Sequence, residues 1–378
     1  MFKKIYQIIF IVLFSAVLLI PAVFMDWSSG GISEEENRTL EDFPSLIMEG
    51  RFNDAFTKEF ESWFMDHMGL REDLINLNAT LQYRVFDRML TTSNYLLGQN
   101  GDINYADQGM KLDYAHLNLR TAEEVAKIGE SYQTVSDWLG SKGIPFYYVQ
   151  CFDKHSIYPE QFTNKIYQHG DVSKTDQVMD YLESQTTVNT INLKRPLLEA
   201  KDTYEVYSNW GDPTHWSQRG AFVGYRYIVG RIAKDFPNIS ALEEKDYEIT
   251  VENGGIALNE VVHQDDMLEC FAIKEPKAQK EDNAVMGKWA EDKRHSVWVN
   301  PEAGNDLKLL LMCDSYINSF IVEDFAESFG EVWLIWGDYT EELKKVVDLY
   351  APDLVVYECA ERVDRSSSVC ALAESLKN

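Results

Sequence analysis

Apolar residues follow three rhythms along the chain, and each predicts a different element. Ile8–Met25 is eighteen residues without a charge and almost entirely apolar. At ~1.5 Å per residue it is near the lower length for a helix that crosses a bilayer. Phe52, Phe56, Phe60 and Phe64 recur at four-residue spacing, which predicts a helix ending near Asp66–Arg71, and a second helix runs to about Arg88. Leu96–Asp102 fits a strand and a tight turn.

From there helical and strand-like stretches alternate. An amphipathic helix from Thr121 to about Leu139 leads to the strand-like Phe146–Cys151. A helix near Gln177–Ser184 precedes a strand near Val188–Leu193. Phe222, Tyr225, Ile228, Val229, Ile232 and Phe236 predict a helix over Ser217–Phe236, with Ser217 as its N-cap. Leu309–Cys313 is a short apolar run of strand length. Ile317, Ile321, Phe325 and Phe329 then predict a helix stopped by Gly330. A strand Val332–Trp336, a helix from about Thr340 to Leu349 and a strand Leu354–Tyr357 close the series. This order is that of an α/β protein with a doubly wound parallel sheet flanked by helices.

Between Lys234 and Asp306 the rhythm changes. Tyr247–Val251 and Ser296–Val299 alternate, and they flank Lys274–Asp292, which is rich in Lys, Glu, Asp and Ala. A β-rich insertion with a solvated loop is expected there. The expected organisation is a membrane anchor over 1–27, an N-terminal helical hairpin segment over 28–92, and the α/β domain over 93–378 with its insertion at 235–306.

Two stretches carry candidate chemistry. In Asp212-Pro213-Thr214-His215-Trp216 the Pro, with Gly211 just before, forbids a regular element. A carboxylate and an imidazole therefore sit three residues apart on a stiff loop that leads into a helix. This suits an Asp that orients a catalytic His. Such a base needs a nucleophile, and Ser315 is the candidate. It ends a buried strand with a helix N-terminus behind it, which exposes Oγ and offers the Ser315 backbone N–H to an oxyanion. A lone Asp-Ser after a strand is also an ordinary helix cap; its pairing with Asp212-x-x-His215 raises it above that reading.

These motifs resemble the SGNH hydrolase superfamily. The order, with His before Ser, the string Asp-Pro-Thr-His-Trp-Ser-x-x-Gly-Ala and the flanking motifs are similar to the AlgX/AlgJ (DHHW) group of polysaccharide O-acetyltransferases. Those flanking motifs are Glu36-Asn37-Arg38-Thr39-Leu40, the Phe-rich segment ending in Asp66-His67-Met68-Gly69-Leu70-Arg71, the turn Gly98–Gly101, the loop holding Lys154 and Tyr158-Pro159-Glu160, and the closing Pro352-Asp353…Glu361-Arg362. The resemblance implies an SGNH-like fold, with Ser315 as nucleophile, His215 as general base and then acid, and Asp212 fixing the His tautomer. It further implies an exopolysaccharide or cell-wall glycan as substrate and a membrane-bound O-acyltransferase as the partner that supplies acyl groups. Three positions depart from the group: two residues rather than one separate Asp212 from His215, Cys313 replaces a Gly, and Asn192 replaces an Asp.

Lys154 and Tyr158 lie at the carboxyl edge of the sheet, where open parallel sheets bind ligands, and are read either as substrate contacts or as residues that fix that loop. Trp210 and Trp216 flank the base, and Tyr316 follows the nucleophile. His67 is expected to be a cap or surface residue, and Cys313 a small buried residue facing away from Asp314.

Composition narrows the partners. The formal net charge is −27, which excludes nucleic acid and makes a highly anionic polymer an awkward substrate. Lys3 and Lys4 before the apolar run and the acidic Ser33–Glu36 after it place the N-terminus in the cytoplasm and the rest outside. No small-x-small cleavage site follows the run, so an uncleaved single-pass anchor is expected. Cys151, Cys270, Cys313, Cys359 and Cys370 make neither a zinc nor a disulfide framework. His263, Asp265 and Asp266 lack diagnostic metal-ligand spacing, and no metal or cofactor is expected. Three readings stay open on sequence alone: an O-acetyltransferase, a carbohydrate esterase of the same fold, and a non-catalytic glycan-binding protein.

Overall fold

The computed structural model describes residues 2–27, 31–33, 38–48, 50–89, 94–256 and 264–377. They divide into two compact units, 2–89 and the described residues from 94 onward. In the first unit, helix α1 (Phe2–Val23) is followed by α2 (Phe56–His67) and α3 (Arg71–Phe86). Lys4–Val23 is long and apolar enough to cross a membrane, with a mean hydropathy of 2.5. The Phe stripe is helical only from Phe56. Phe52 sits in a two-residue strand opposite Ile47, while Phe56, Phe60 and Phe64 stack in sequence at 6.0 and 6.3 Å. The fixed residue of this unit is Trp63, 1% exposed, with Phe43 edge-on to it at 4.7 Å. His67 is buried, stacked on Trp63 with its Nδ1 2.9 Å from the Trp63 carbonyl. Sequence had left it a cap or surface residue.

The second unit is built on a seven-stranded, mostly parallel sheet. It opens with a separate hairpin, β1 (Tyr95–Leu97) and β2 (Ile103–Tyr105), turned at Gly101, whose φ of +80° suits a residue without a side chain. Helix α4 (Ala122–Ser141) starts at a capping box in which Thr121 and Glu124 satisfy each other's backbone N–H groups. It leads into β3 (Phe146–Cys151), then α5 (Lys174–Gln185) and β4 (Asn189–Asn192). Helix α6 (Gln218–Ile232) follows the Asp212–His215 loop, and Ser217 caps it by accepting from the Gly220 N–H at 3.1 Å.

The insertion contributes an antiparallel hairpin, β5 (Tyr247–Asn253) with β6 (Met267–Ile273), and two edge strands, β7 (Gln279–Glu281) and β8 (Ser296–Val299). The stretch expected to be a solvated loop instead buries Met286 and Trp289 in 3-10 turns. Two large apolar side chains outweigh the charged residues around them. Then come β9 (Lys308–Cys313), α7 (Ser315–Asn318), α8 (Val322–Ser328), β10 (Glu331–Trp336), α9 (Leu343–Tyr350), β11 (Leu354–Ala360) and α10 (Ser366–Leu376).

Across the sheet the order is β7-β8-β10-β9-β11-β3-β4. The five strands from β10 to β4 run parallel, and β8 and β7 pair antiparallel at one edge. Strand β9 is central: Leu310 lies opposite Trp333 on one side and Val355 on the other, and Leu309–Cys313 are all 0% exposed. A strand covered on both faces reads as a continuous apolar run, which is why its alternation is absent from the sequence. The helix expected after Ser315 is broken in two. Phe320 N–H closes a tight turn on Ile317 and Ile321 leaves helical geometry at φ −136° before α8 resumes. Ile321 and Phe325 remain buried, so apolar spacing persisted through a break that it could not signal.

Gly220 shows how tightly α6 is set against the preceding chain. A Cβ there would lie 2.2 Å from the Val206 carbonyl oxygen, whereas at Gly230 on the same helix it would meet nothing within 4 Å. Gly220→Ala is expected to destabilise by about 2 kcal/mol or more, as overpacking against backbone does. Gly230→Ala should instead stabilise by about 0.5–1 kcal/mol through helix propensity. Urea denaturation of both variants checks the pair.

Candidate active site

The carboxyl ends of β3, β9 and β11 meet at one edge of the sheet, where they deliver Asp153, Asp314–Ser315 and Glu358–Arg362. Ser315 opens α7 directly after β9. Its turn is fixed by Asp314, which accepts from the Tyr316 N–H at 3.0 Å and from the Ala360 N–H at 2.7 Å. The Asp314 N–H in turn donates to the buried Glu358 at 2.9 Å. Burial, then the neighbouring Asp314 charge, push the Glu358 carboxyl well above the usual range, which favours its neutral form. As the first residue of a helix, Ser315 has a backbone N–H with no acceptor of its own in the helix.

His215 arrives from a loop one hundred residues earlier in the chain. Its Nε2 lies 2.7 Å from Ser315 Oγ, and its Nδ1 lies 2.6 Å from Asp212 Oδ2. Thr214 completes the set: its N–H and its hydroxyl donate to Asp212 Oδ1 at 2.8 and 2.5 Å. Partial burial raises the Asp212 carboxyl, but the hydrogen bonds from His215 and Thr214 outweigh it and hold the group down at about 2. An ionised carboxylate can only accept, so the imidazole proton sits on Nδ1 and the Nε2 lone pair faces the serine hydroxyl. The wider spacing here, with both Pro213 and Thr214 between Asp and His, thus accommodates the contact, and Thr214 adds a bond of its own.

The loop is held from behind by backbone bonds. Asp266 Oδ2 accepts from the N–H groups of Trp210 and Gly211 at 2.7 and 3.0 Å. Its carboxylate thereby acts as a loop clamp; His263, its neighbour in the sequence cluster, lies outside the described residues. The indole of Trp216 donates to the Tyr316 carbonyl at 3.2 Å, tying the residue after the base to the residue after the nucleophile.

The residues expected to touch substrate are all buried. Lys154 is paired with Asp102 at 2.7 Å, both 4% exposed, and also donates to the Ile103 carbonyl at 3.0 Å. Tyr158 sits edge-on to Tyr207. The Trp210 indole donates to the Gly101 carbonyl at 2.9 Å, and Tyr316 donates to Asp153 at 2.9 Å. Lys154, Tyr158, Trp210, Trp216 and Tyr316 have at most 8% of their surface exposed, so none offers a free ring face or charge to a sugar. They fasten the loops around Ser315. Two rings flank His215, Tyr316 at 5.3 Å and Phe320 at 5.4 Å; Phe320, five residues beyond the nucleophile, is not among the sequence candidates. The closing Glu361-Arg362 motif also finds its use here. Arg362 pairs with Asp153, while Glu361 accepts from the Asp153 N–H at 3.0 Å and the Ser156 hydroxyl at 2.7 Å.

Asp153, His155 and Glu361 bring metal-ligand atoms within 4.8 Å of one another. The Arg362 guanidinium and the Tyr316 hydroxyl occupy the Asp153 carboxylate, while His155 Nδ1 and Glu361 Oε1 are buried without a hydrogen-bond partner.

A parallel-centred sheet with a Ser–His–Asp chain at its carboxyl edge defines the class as an SGNH hydrolase-like α/β domain. Residues 113–282 match the family model of the SGNH hydrolase-like domain of acetyltransferase AlgX. That stretch is thus similar to this AlgX acetyltransferase family, in agreement with the motif resemblance. The match contains Asp212 and His215 and ends before Ser315, so the serine enters by geometry alone. Bacillus cereus PatB1 is similar in structure. Its sulfonyl-adduct form has a TM-score of 0.51 and 17% identity, covering 67% of this chain and 94% of that one. A second PatB1 structure gives 0.50 and 16%, covering 74% and 96%. The O-acetyltransferase domain of Pseudomonas putida AlgJ has a TM-score of 0.45 and 17% identity, over 75% of this chain and 99% of that one. At these identities the PatB1 likeness is one of fold. A comparison with curated protein sequences finds no match.

Cys313 lies next to this site without facing it. It is 0% exposed, and burial pushes its thiol well above the ordinary range. Iodoacetamide should therefore modify it slowly, and Cys313→Ala should keep most activity; rapid stoichiometric inactivation mapped to Cys313 would reverse that assignment. The depressed Asp212 carboxyl predicts a pH effect with a definite sign. Its stabilising contribution is present above the unfolded value of about 3.9 and is lost as pH falls toward 2. Thermal melts between pH 5 and 2 should fall more steeply for wild type than for Asp212→Asn.

Proposed function

We propose that the protein is a membrane-anchored, extracytoplasmic O-acetyltransferase that modifies a cell-surface or exported polysaccharide through an acetyl-serine intermediate. One observation carries the reading: the continuous contact from Ser315 Oγ through both ring nitrogens of His215 to Asp212, at 2.7 and 2.6 Å. The match of residues 113–282 to an acetyltransferase family model supports acyl transfer. The apolar α1 supports attachment to a membrane.

In the first half-reaction Ser315 Oγ attacks the acetyl carbonyl carbon as its proton passes to His215 Nε2. The ionised Asp212 stabilises the resulting imidazolium, and the Ser315 N–H donates to the oxyanion. Collapse breaks the bond to the leaving group, which takes the proton from Nε2 and departs, leaving acetyl-Ser315. In the second half a sugar hydroxyl loses its proton to Nε2 and attacks the acetyl carbon. The Ser315–acetyl bond breaks, Oγ recovers the proton, and the sugar leaves as its acetyl ester. A membrane-bound O-acyltransferase is the proposed source of acetyl groups, which would place donor and acceptor on the same face of the bilayer. No metal or cofactor enters these steps.

With an activated acetyl ester, wild type should release the leaving group and accumulate acetyl on Ser315, read by mass spectrometry. Ser315→Ala and His215→Ala should each lose on the order of a thousandfold in rate, because the residues act as a unit. Asp212→Asn should lose much of it by favouring the wrong tautomer. Near-normal turnover by Ser315→Ala would favour a glycan-binding role. Acetyl passing to water no slower than to an offered oligosaccharide would make the protein an esterase.

The topology has its own test. A reporter fused after Asn378 should behave as extracytoplasmic, and protease added to wall-free cells should digest the ectodomain. Protection in those cells would overturn the proposed orientation, which rests on Lys3 and Lys4 preceding the apolar run.

A further inference from the structure

On the far side of Phe320 from His215 lies a cleft of about 480 Å³ that the two half-reactions leave unused. Three segments line it: the start of α6, the β5–β6 hairpin with the residues just beyond it, and the stretch Asn318–Asp324 that follows the nucleophile. Phe320 belongs to the cleft and to the triad's surroundings alike, with its ring 5.4 Å from the imidazole of His215. Ser319 is equally close in the chain: its N–H donates to the Ser315 carbonyl at 3.1 Å. Phe320 is thus shared between the cleft and the surroundings of the base.

The lining has the composition of a sugar site. Half-buried Phe271 and Phe320 supply aromatic surface over the buried Phe222 and Tyr247, while Gln218, Asn318 and Ser319 supply amide and hydroxyl groups. Apolar walls with a few polar groups, in a volume of this size, suit a small polar ligand with one apolar face. The charges are of one sign. Glu323 is exposed and Asp324 buried, and the lining contains no Lys, Arg or His. Arg219, the nearby cation of α6, is committed to Glu244 and Glu269. An anionic sugar would meet the exposed Glu323 carboxylate with no cation in the lining to offset it, while Asp324 accepts from the Tyr247 hydroxyl, and the net charge of −27 extends that repulsion to longer range.

We infer that this cleft is an acceptor subsite that holds an uncharged sugar unit, adjacent along the glycan to the unit acetylated at Ser315. The inference rests on the acyl-transfer reading. It specifies the acceptor as a glycan whose unit beside the acetylated one is neutral, and disfavours a polyuronate.

The test uses the full-length protein in detergent, an activated acetyl ester as donor, and tetrasaccharides of glucose, galactose, N-acetylglucosamine and galacturonic acid as acceptors. Acetyl-Ser315 is measured separately from transfer. Transfer is expected to uncharged members of the panel. Ser319→Trp, which fills the cleft from an exposed position, should raise the acceptor KM by roughly tenfold or more, with a smaller fall in kcat. Glu323→Lys should improve transfer to the galacturonic acid tetramer. The inference is overturned if the uronate is the best acceptor of the wild type, if Ser319→Trp leaves the acceptor KM unchanged, or if Ser315 is acetylated and no tetrasaccharide accepts. Failure of the underlying reading looks different: acetyl-Ser315 itself would not form.

Discussion

The buried indole of Trp216 donates to the carbonyl of Tyr316, and that bond joins the two halves of the chemistry. Trp216 follows the base and Tyr316 follows the nucleophile, so the bond sets their separation through two short stretches of backbone. The rings meet edge to face at 5.0 Å, and both residues are almost fully buried. In such surroundings an indole N–H left without an acceptor costs about 1–3 kcal/mol. Any displacement of the loop from the α7 turn would therefore be opposed before the His215–Ser315 contact was lost. Gly220 and Gly224 make room for this arrangement, since a Cβ at either would press on Val206 or on the Trp216 ring.

Around this joint the charged groups are arranged to fix backbone. Asp314 holds the serine turn, Glu361 and Arg362 hold Asp153, and Asp153 accepts from Tyr316. The Asp153 bonds join the end of β3 to the ends of β11 and β9. Buried carboxyl groups without good partners are destabilising, and their concentration at this edge makes sense where loop positions must be held within fractions of an ångström for catalysis. Only the Asp212 carboxylate in this region is turned toward the imidazole.

The insertion is more than a covering loop. Asp266, at its β5–β6 hairpin, clamps the backbone of Trp210 and Gly211, and Glu269 pairs with Arg219 on α6. The same hairpin supplies Phe271 and Tyr247 to the cleft beside Phe320. A single element thus steadies the base loop and shapes the adjoining surface, which ties acceptor selection to the segment with the weakest secondary-structure signal in the sequence.

The sequence by itself determined the α/β class and the alternation of helices and strands, and it singled out Ser315, His215 and Asp212 as candidates, which the fold brings within hydrogen-bond distance. It could do so because these depend on local patterns: apolar spacing, the breaks imposed by Gly and Pro, and a short loop in which Asp and His are covalent near-neighbours. It did not reveal the break between α7 and α8, because Ile317, Ile321 and Phe325 stay buried on either side of it. Nor could it choose between a buried and a substrate-facing role for Lys154, Tyr158, Trp210, Trp216 and Tyr316. An aromatic or cationic residue near a site has the same letter whether it meets solvent or a carbonyl, and only the packing of distant segments chooses. Asp102 for Lys154, Gly101 for Trp210 and Tyr316 for Trp216 are partners 52, 109 and 100 residues away. Phe320 over His215 and the cleft beyond it were equally hidden, because they exist only where α6, the β5–β6 hairpin and the chain after Ser315 converge.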